Sequence, residues 1–195
     1  MADLITLFLA GDVMTGRGID QILPCPGDPA LHEPYVRNAL RYVELAEEAS
    51  GPVPRPVDPP YIWGDALAEL TRVAPDLRII NLETAVTTSG DWWRGKEVLY
   101  RMHPANVSVL TTARIDCCTL ANNHVLDWGY GGLEETLATL REAGMHSAGR
   151  EQTGKRRRRR QLLRWRARGG SWWLPAVRSP AASPGSGGRR KRVLA

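Results

Sequence analysis

Cysteine, histidine and phenylalanine are scarce in this 195-residue chain, which holds three, four and one of them. Cys25, Cys117 and Cys118 form an odd set without metal-finger spacing, and an adjacent pair on a strand points to opposite faces. A disulfide framework is thereby excluded, and the count fits a reducing compartment. Long apolar runs are missing as well. Only about six apolar residues follow Asp3, with no basic segment ahead of them, so neither a secretory signal nor a membrane span is expected and the default compartment is the cytoplasm.

Another shortage is local. Residues 151–195 contain no Asp, Asn, His, Phe, Tyr, Ile, Met or Cys, and set one acid, Glu151, against fourteen Lys and Arg. Residues 1–150 have the opposite balance, twelve basic against twenty acidic, so the net charge of +5 describes neither part. The organisation expected is one globular domain over 1–150 and a basic low-complexity tail over 151–195. The tail holds five consecutive arginines, Arg156 to Arg160, and shows no apolar periodicity. Three readings of it stand: a contact for nucleic acid or an anionic membrane, at roughly 1 kcal/mol for each basic residue near the surface; a disordered solvated segment; or a GC-rich gene read out of frame.

What is present in 1–150 alternates strand and helix signals. Ile5 to Ala10 is a near-continuous apolar run ending at Gly11-Asp12, which reads as a central strand with Asp12 at its carboxyl end. A helix is expected over Tyr35 to Ala49, then a loop with five prolines between Gly51 and Pro60, then a helix over Ala66 to Ala74 capped by Asp65. Leu77 to Leu82 is the second strand, delivering Glu83 past its end. Thr84 to Tyr100 is irregular, and its Trp92-Trp93 pair offers rings either to a ligand or, for one of them, to the domain. A short helix over Ala105 to Ala113 precedes a third strand, Ile115 to Ala121. A clear amphipathic helix, Gly131 to Ala143, follows, and Met145 to Ala148 starts a fourth strand. This order implies an α/β fold with parallel pairing and right-handed crossovers.

On that topology Asp12, Glu83 and Asn123 with His124 converge at the carboxyl edge of the sheet, where open α/β sheets bind ligands. Carboxylate, carboxylate, amide and imidazole make a donor set for Mn, Mg, Fe or Zn, and such ions clamp the attacking and leaving oxygens of a phosphoryl transfer. The competing reading is a group of unrelated polar turn residues.

Four stretches resemble one family in the correct order: Gly11-Asp12-Val13-Met14 with Gly16-Arg17; Asp76 through Thr84; Tyr100-Arg101-Met102-His103-Pro104; and Leu120-Ala121-Asn122-Asn123-His124 through Gly129. Over residues 4 to about 150 the chain is similar to the poly-gamma-glutamate capsule synthesis (CapA) family, whose fold is akin to the calcineurin-like metallophosphoesterases. The resemblance implies a metallophosphoesterase-like α/β/β/α sandwich. In it Asp12 is the first metal-side acid, Glu83 takes the bridging acid's place, Asn123 is a metal and phosphate ligand, and His124 is the general acid or a phosphate-stabilising group. Arg17 and Arg101 are candidates for binding an anionic substrate, a phosphoester or polyglutamate. Met14 stands where such enzymes usually carry a histidine. The family's later Gly-His motif has no counterpart, since no histidine follows His146. The second half of the site and the second sheet are therefore expected to be missing, leaving a truncated, inactive sandwich with exposed apolar surface.

Overall fold

The computed structural model describes residues 4–149, together with the backbone of two strands further on, 162–167 and 170–175. Four parallel strands carry the fold: β1 (Leu7–Val13), β2 (Leu77–Leu82), β5 (Cys117–Thr119) and β6 (His146–Ala148), in the sheet order β1-β2-β5-β6. The strands join through helical crossovers: α1 (Gly18–Ile22), α2 (Leu40–Ser50) and α3 (Ala66–Val73) before β2, α4 (Ser108–Thr112) before β5, and α5 (Gly129–Glu142) before β6. Two short strands, β3 (Ala85–Val86) and β4 (Arg101–Met102), pair separately in parallel. The α/β class and the parallel sheet expected from the sequence are present.

One sheet face is the core face. Phe8, Ala10, Val13, Ile80, Leu82, Cys118 and Leu120 pack there with Leu70 of α3, Val109 and Leu110 of α4, and Leu133, Leu137 and Leu140 of α5. Ile80, Cys118, Leu110 and Leu140 are fully removed from water. Burial pushes the Cys118 thiol up to about 12, so it behaves as a small hydrophobe. On β1 the alternate residues, Leu7 and Leu9, remain exposed, as do Leu4 and Ile5 ahead of them. This agrees with the apolar exposure expected of the first sheet.

Several element bounds differ from the sequence reading. β1 runs on through Asp12 to Val13 rather than stopping at Ala10, because a bulge at Gly11 lets pairing resume beyond it. The helix expected from Tyr35 begins at Leu40. Asn38 bridges back to Ala30, and its side-chain oxygen accepts the Leu40 N–H, which fixes the start there. Asp65 does not cap α3: its own backbone is already helical and its carboxylate takes no cap bond. The helix expected over Ala105 to Ala113 is a 3₁₀ turn, Pro104–Asn106, followed by α4. The buried Asn106 amide is committed to Asp20 and to the Cys25 carbonyl.

In the basic segment, β7 (Leu162–Ala167) and β8 (Gly170–Pro175) pair antiparallel. The nucleic-acid or membrane contact assigned to the remainder of that segment lies outside the described residues. Among the described residues no helix is long and apolar enough to cross a membrane.

Candidate functional site

The bulge decides where Asp12 goes. Leu7, Phe8, Leu9 and Ala10 pair in step with Leu77 to Ile80, and Gly11 is then left over, so that Asp12 pairs with Asn81 and Val13 with Leu82. Strict alternation would put Asp12 on the core face with Phe8 and Ala10. The extra residue turns it to the open face and returns Val13 to the core.

Asn81 and Glu83 lie two residues apart and so share that open face. The Asn81 amide donates to Asp12 Oδ1 at 2.7 Å and to Glu83 Oε2 at 3.1 Å, tying the two carboxylates together. Their titrations diverge. Burial, followed by the hydrogen bond with Asp12, holds the Glu83 carboxyl above its ordinary value; the hydrogen bond with Glu83, then that with Asn81, holds Asp12 below it. One proton shared between the acids accounts for both directions.

The third strand end supplies the imidazole. After β5 the chain turns at Asn122, whose side-chain oxygen accepts the His124 N–H while its amide donates to Asn81 Oδ1 and the Leu82 carbonyl. The buried His124 then points Nε2 toward Glu83 Oε1, 3.7 Å away, and Nδ1 toward Asp127 Oδ2, 2.7 Å away. Asp127 is buried and fully engaged: Oδ1 takes the Lys96 ammonium at 2.5 Å and Oδ2 also accepts the Tyr100 N–H at 2.7 Å. The Tyr100 ring lies on the imidazole, 4.1 Å between centroids.

The structure thus brings Asp12, Glu83 and His124 together. Asn123, the residue before His124, is exposed, and its carbonyl accepts from Lys96. The two arginines are occupied elsewhere. Arg17 is ion-paired with the buried Glu33 and bonded to the Tyr42 hydroxyl. Arg101 donates to the Ser89 and Asp28 carbonyls, with its guanidinium 3.9 Å from the Trp128 ring centroid. Trp92 stacks on His32 at 4.0 Å and joins a small cluster with Ala85, Leu99 and Trp128, while Trp93 is half exposed, so one ring packs on the domain.

Sequence reasoning gave no role to Asn81, Lys96 or Tyr100. Asp127 had a readable signal, because a carboxylate three residues after a histidine in a turn can reach its ring. Lys96 and Tyr100 arrive from the irregular 84–100 segment, which carries no periodicity to place them.

The donor chemistry at this edge suits a hard divalent cation: two carboxylates joined through the Asn81 amide offer oxygen donors whose mutual repulsion a cation relieves. Among the described residues, however, no three His, Cys, Asp or Glu side chains close into a group able to hold an ion.

Comparison with known proteins gives the family. The model of the bacterial capsule synthesis protein family PGA_cap matches residues 6–184. Two relatives from Mycobacterium tuberculosis, strains CDC 1551 / Oshkosh and H37Rv, are each described as a probable polyglutamine synthesis accessory protein. Both are 54% identical over 147 residues, 75% of this chain. The match spans 39% of each relative's length. With a family match that runs through the β1 bulge, the Glu83 strand end and the His124 turn, the chain belongs to the bacterial capsule synthesis protein family PGA_cap.

Proposed function

We propose that residues 4–149 form the cation- and anion-handling edge of a metal-dependent, phosphoesterase-like protein serving capsule polyglutamate synthesis. The observation that carries this reading is the Asp12–Asn81–Glu83 arrangement, two carboxylates joined through one amide beside an oriented imidazole. The family's description as a bacterial capsule synthesis protein supports the capsule assignment, and the relatives' name refers to an accessory role in polyglutamine synthesis.

Asp12 and Glu83 would hold the cation, with Asn123, exposed ahead of His124, as a further candidate donor. When bound, the ion supplies Lewis acidity toward a phosphoryl or carboxyl oxygen. The chain's own contribution is proton handling. Asp127 occupies Nδ1 of His124, so Nε2, on the Glu83 side, is the atom that gives or takes a proton at the substrate. Tyr100 and Lys96 keep the ring and its carboxylate from turning. With Arg17 and Arg101 committed to Glu33 and to backbone carbonyls, and Lys96 to Asp127, charge on the substrate is met by the ion rather than by these side chains.

The test is titration of the full chain with Mn²⁺, followed by calorimetry and by the ion's paramagnetic signal, for wild type, Asp12→Asn and Glu83→Gln. Saturable binding lost in both variants supports the reading, and binding indifferent to both overturns it. Turnover of a simple phosphomonoester on the loaded protein tests the hydrolytic step separately, because the match spans only 39% of each relative.

A further inference from the structure

We propose that the groove between α1, α2 and the turn after β1 is an apolar subsite, taking the hydrocarbon part of a ligand whose anionic head lies at the Asp12–Glu83–His124 edge; the head's placement rests on the function proposed above. The groove encloses about 400 Å³, within the range of small-molecule sites, and its walls are Met14, Ile19, Ile22, Val43, Ala46 and Val53. Met14 and Ile19 are large apolar side chains left 42% and 38% exposed, a cost that a bound apolar group removes.

The polar groups that reach the groove are already matched to one another. Arg17 pairs with Glu33, which is 1% exposed, and the Tyr42 hydroxyl donates to Glu33 Oε2 at 3.1 Å. The guanidinium lies over the Tyr42 ring at 4.3 Å and within 5.5 Å of the Tyr100 centroid. Its charge is cancelled inside the wall, so the groove offers a ligand aromatic and aliphatic surface rather than a counter-ion. Arg17 also holds a positive φ of 55°, a conformation disfavoured for a non-glycine residue, so its placement is enforced by these contacts.

Two features join the groove to the polar edge. Met14 follows Asp12 by two residues, and Tyr100 lines the groove while its ring lies on His124. A chain lying in the groove therefore exits across Tyr100 toward His124. The ligand class this selects is an anion with an aliphatic or aromatic extension, as in an alkyl or aryl phosphate.

The experiment uses the full chain in saturating Mg²⁺, since the proposed function needs a cation between the head and the two carboxylates, and n-alkyl phosphates from ethyl to heptyl beside the matched n-alkanols, with methyl NMR shifts reporting both affinity and place. Affinity is expected to rise roughly two- to fourfold per methylene until the groove is filled, with shifts at Ile19, Ile22, Val43 and Val53. Ala46→Phe, on the exposed side of α2, and independently Ile19→Ser are expected to flatten the length series. A series that is flat in wild type, that neither variant alters, or that maps to Leu7 and Leu9 overturns the subsite. If length dependence and its loss in the variants persist but phosphates bind no better than alcohols, the subsite stands and the anion-handling edge fails. If ethyl phosphate binds and length adds nothing, the edge stands and the subsite falls.

Discussion

Oδ2 of Asp127 lies 2.7 Å from Nδ1 of His124, inside a carboxylate that also takes the Lys96 ammonium and the Tyr100 N–H. A buried anion with three donors around it fixes its neighbours. Asp127→Asn retains the shape but strips Lys96 of its counter-charge and places an amide N–H against one donor. Stability is expected to fall by about 2–4 kcal/mol, read as a lowered midpoint in urea denaturation, because one member of a buried charged network is left unmatched. An unchanged midpoint would show that Asp127 is not held in this network.

The Asp12–Glu83 pair gives stability a pH dependence with a defined sign. Glu83 is held above its ordinary value, so its contribution is present in acid and is lost as pH rises through its folded pKa. Asp12 is held below its ordinary value, so its contribution is present above the unfolded value and is lost as pH falls through the lowered one. Glu83→Gln fixes the first group in its neutral form. The variant is expected to match wild type near pH 4 and to melt higher by about 2 °C at pH 8, and a saturating divalent cation should raise wild type but not the variant. Thermal melts across pH 4 to 8 with and without Mn²⁺ check it.

Much of this edge was legible because the strands announce themselves. Leu77 to Leu82 reads as a strand from its four aliphatic residues, with Arg78 and Asn81 between them; its end fixes Glu83, and the observed strand has those bounds. The Asp12 strand was also visible, yet its bulge was not: a leftover residue is a property of pairing between two strands, and Gly11 alone does not disclose it. The same holds for α1, five residues long, whose Asp20 spends its carboxylate on nearby Gly27 and on His103 and Asn106, both more than eighty residues away in sequence. Arg17 and Arg101 read as substrate groups because an arginine's partner lies elsewhere in the chain; Glu33 and the Ser89 carbonyl became visible only on folding.

The tandem tryptophans separate by function of place. Trp92 stacks on His32 and belongs to the Trp128 cluster, so Trp92→Ala is expected to cost about 2–4 kcal/mol through lost burial and the ring pair. Trp93 is 52% exposed, and Trp93→Ala should stay within roughly 1 kcal/mol. Paired urea titrations distinguish them, and a Trp93 loss as large as that of Trp92 would contradict the packing described.

Gly16 is the glycine that the site cannot exchange. A Cβ there would stand 2.5 Å from the Arg101 carbonyl oxygen and 2.9 Å from its nitrogen, and these backbone atoms belong to β4, paired with β3. Arg101 has little freedom to retreat, since its guanidinium sits on the Trp128 ring and donates to the Ser89 carbonyl. Gly16→Ala must therefore push the turn after β1 outward, carrying with it Thr15, whose N–H donates to Thr84 beside Glu83. The expected cost is about 1–3 kcal/mol together with weakened divalent-cation binding, because the turn and the acid it follows move as one piece. Gly11→Ala is the contrast: nothing lies within 4 Å of the added methyl, and stability should change by no more than about 0.5 kcal/mol. Melting the two variants side by side, each with and without Mn²⁺, checks the difference, and equal behaviour would mean that the close approach to Arg101 does not hold the edge in place.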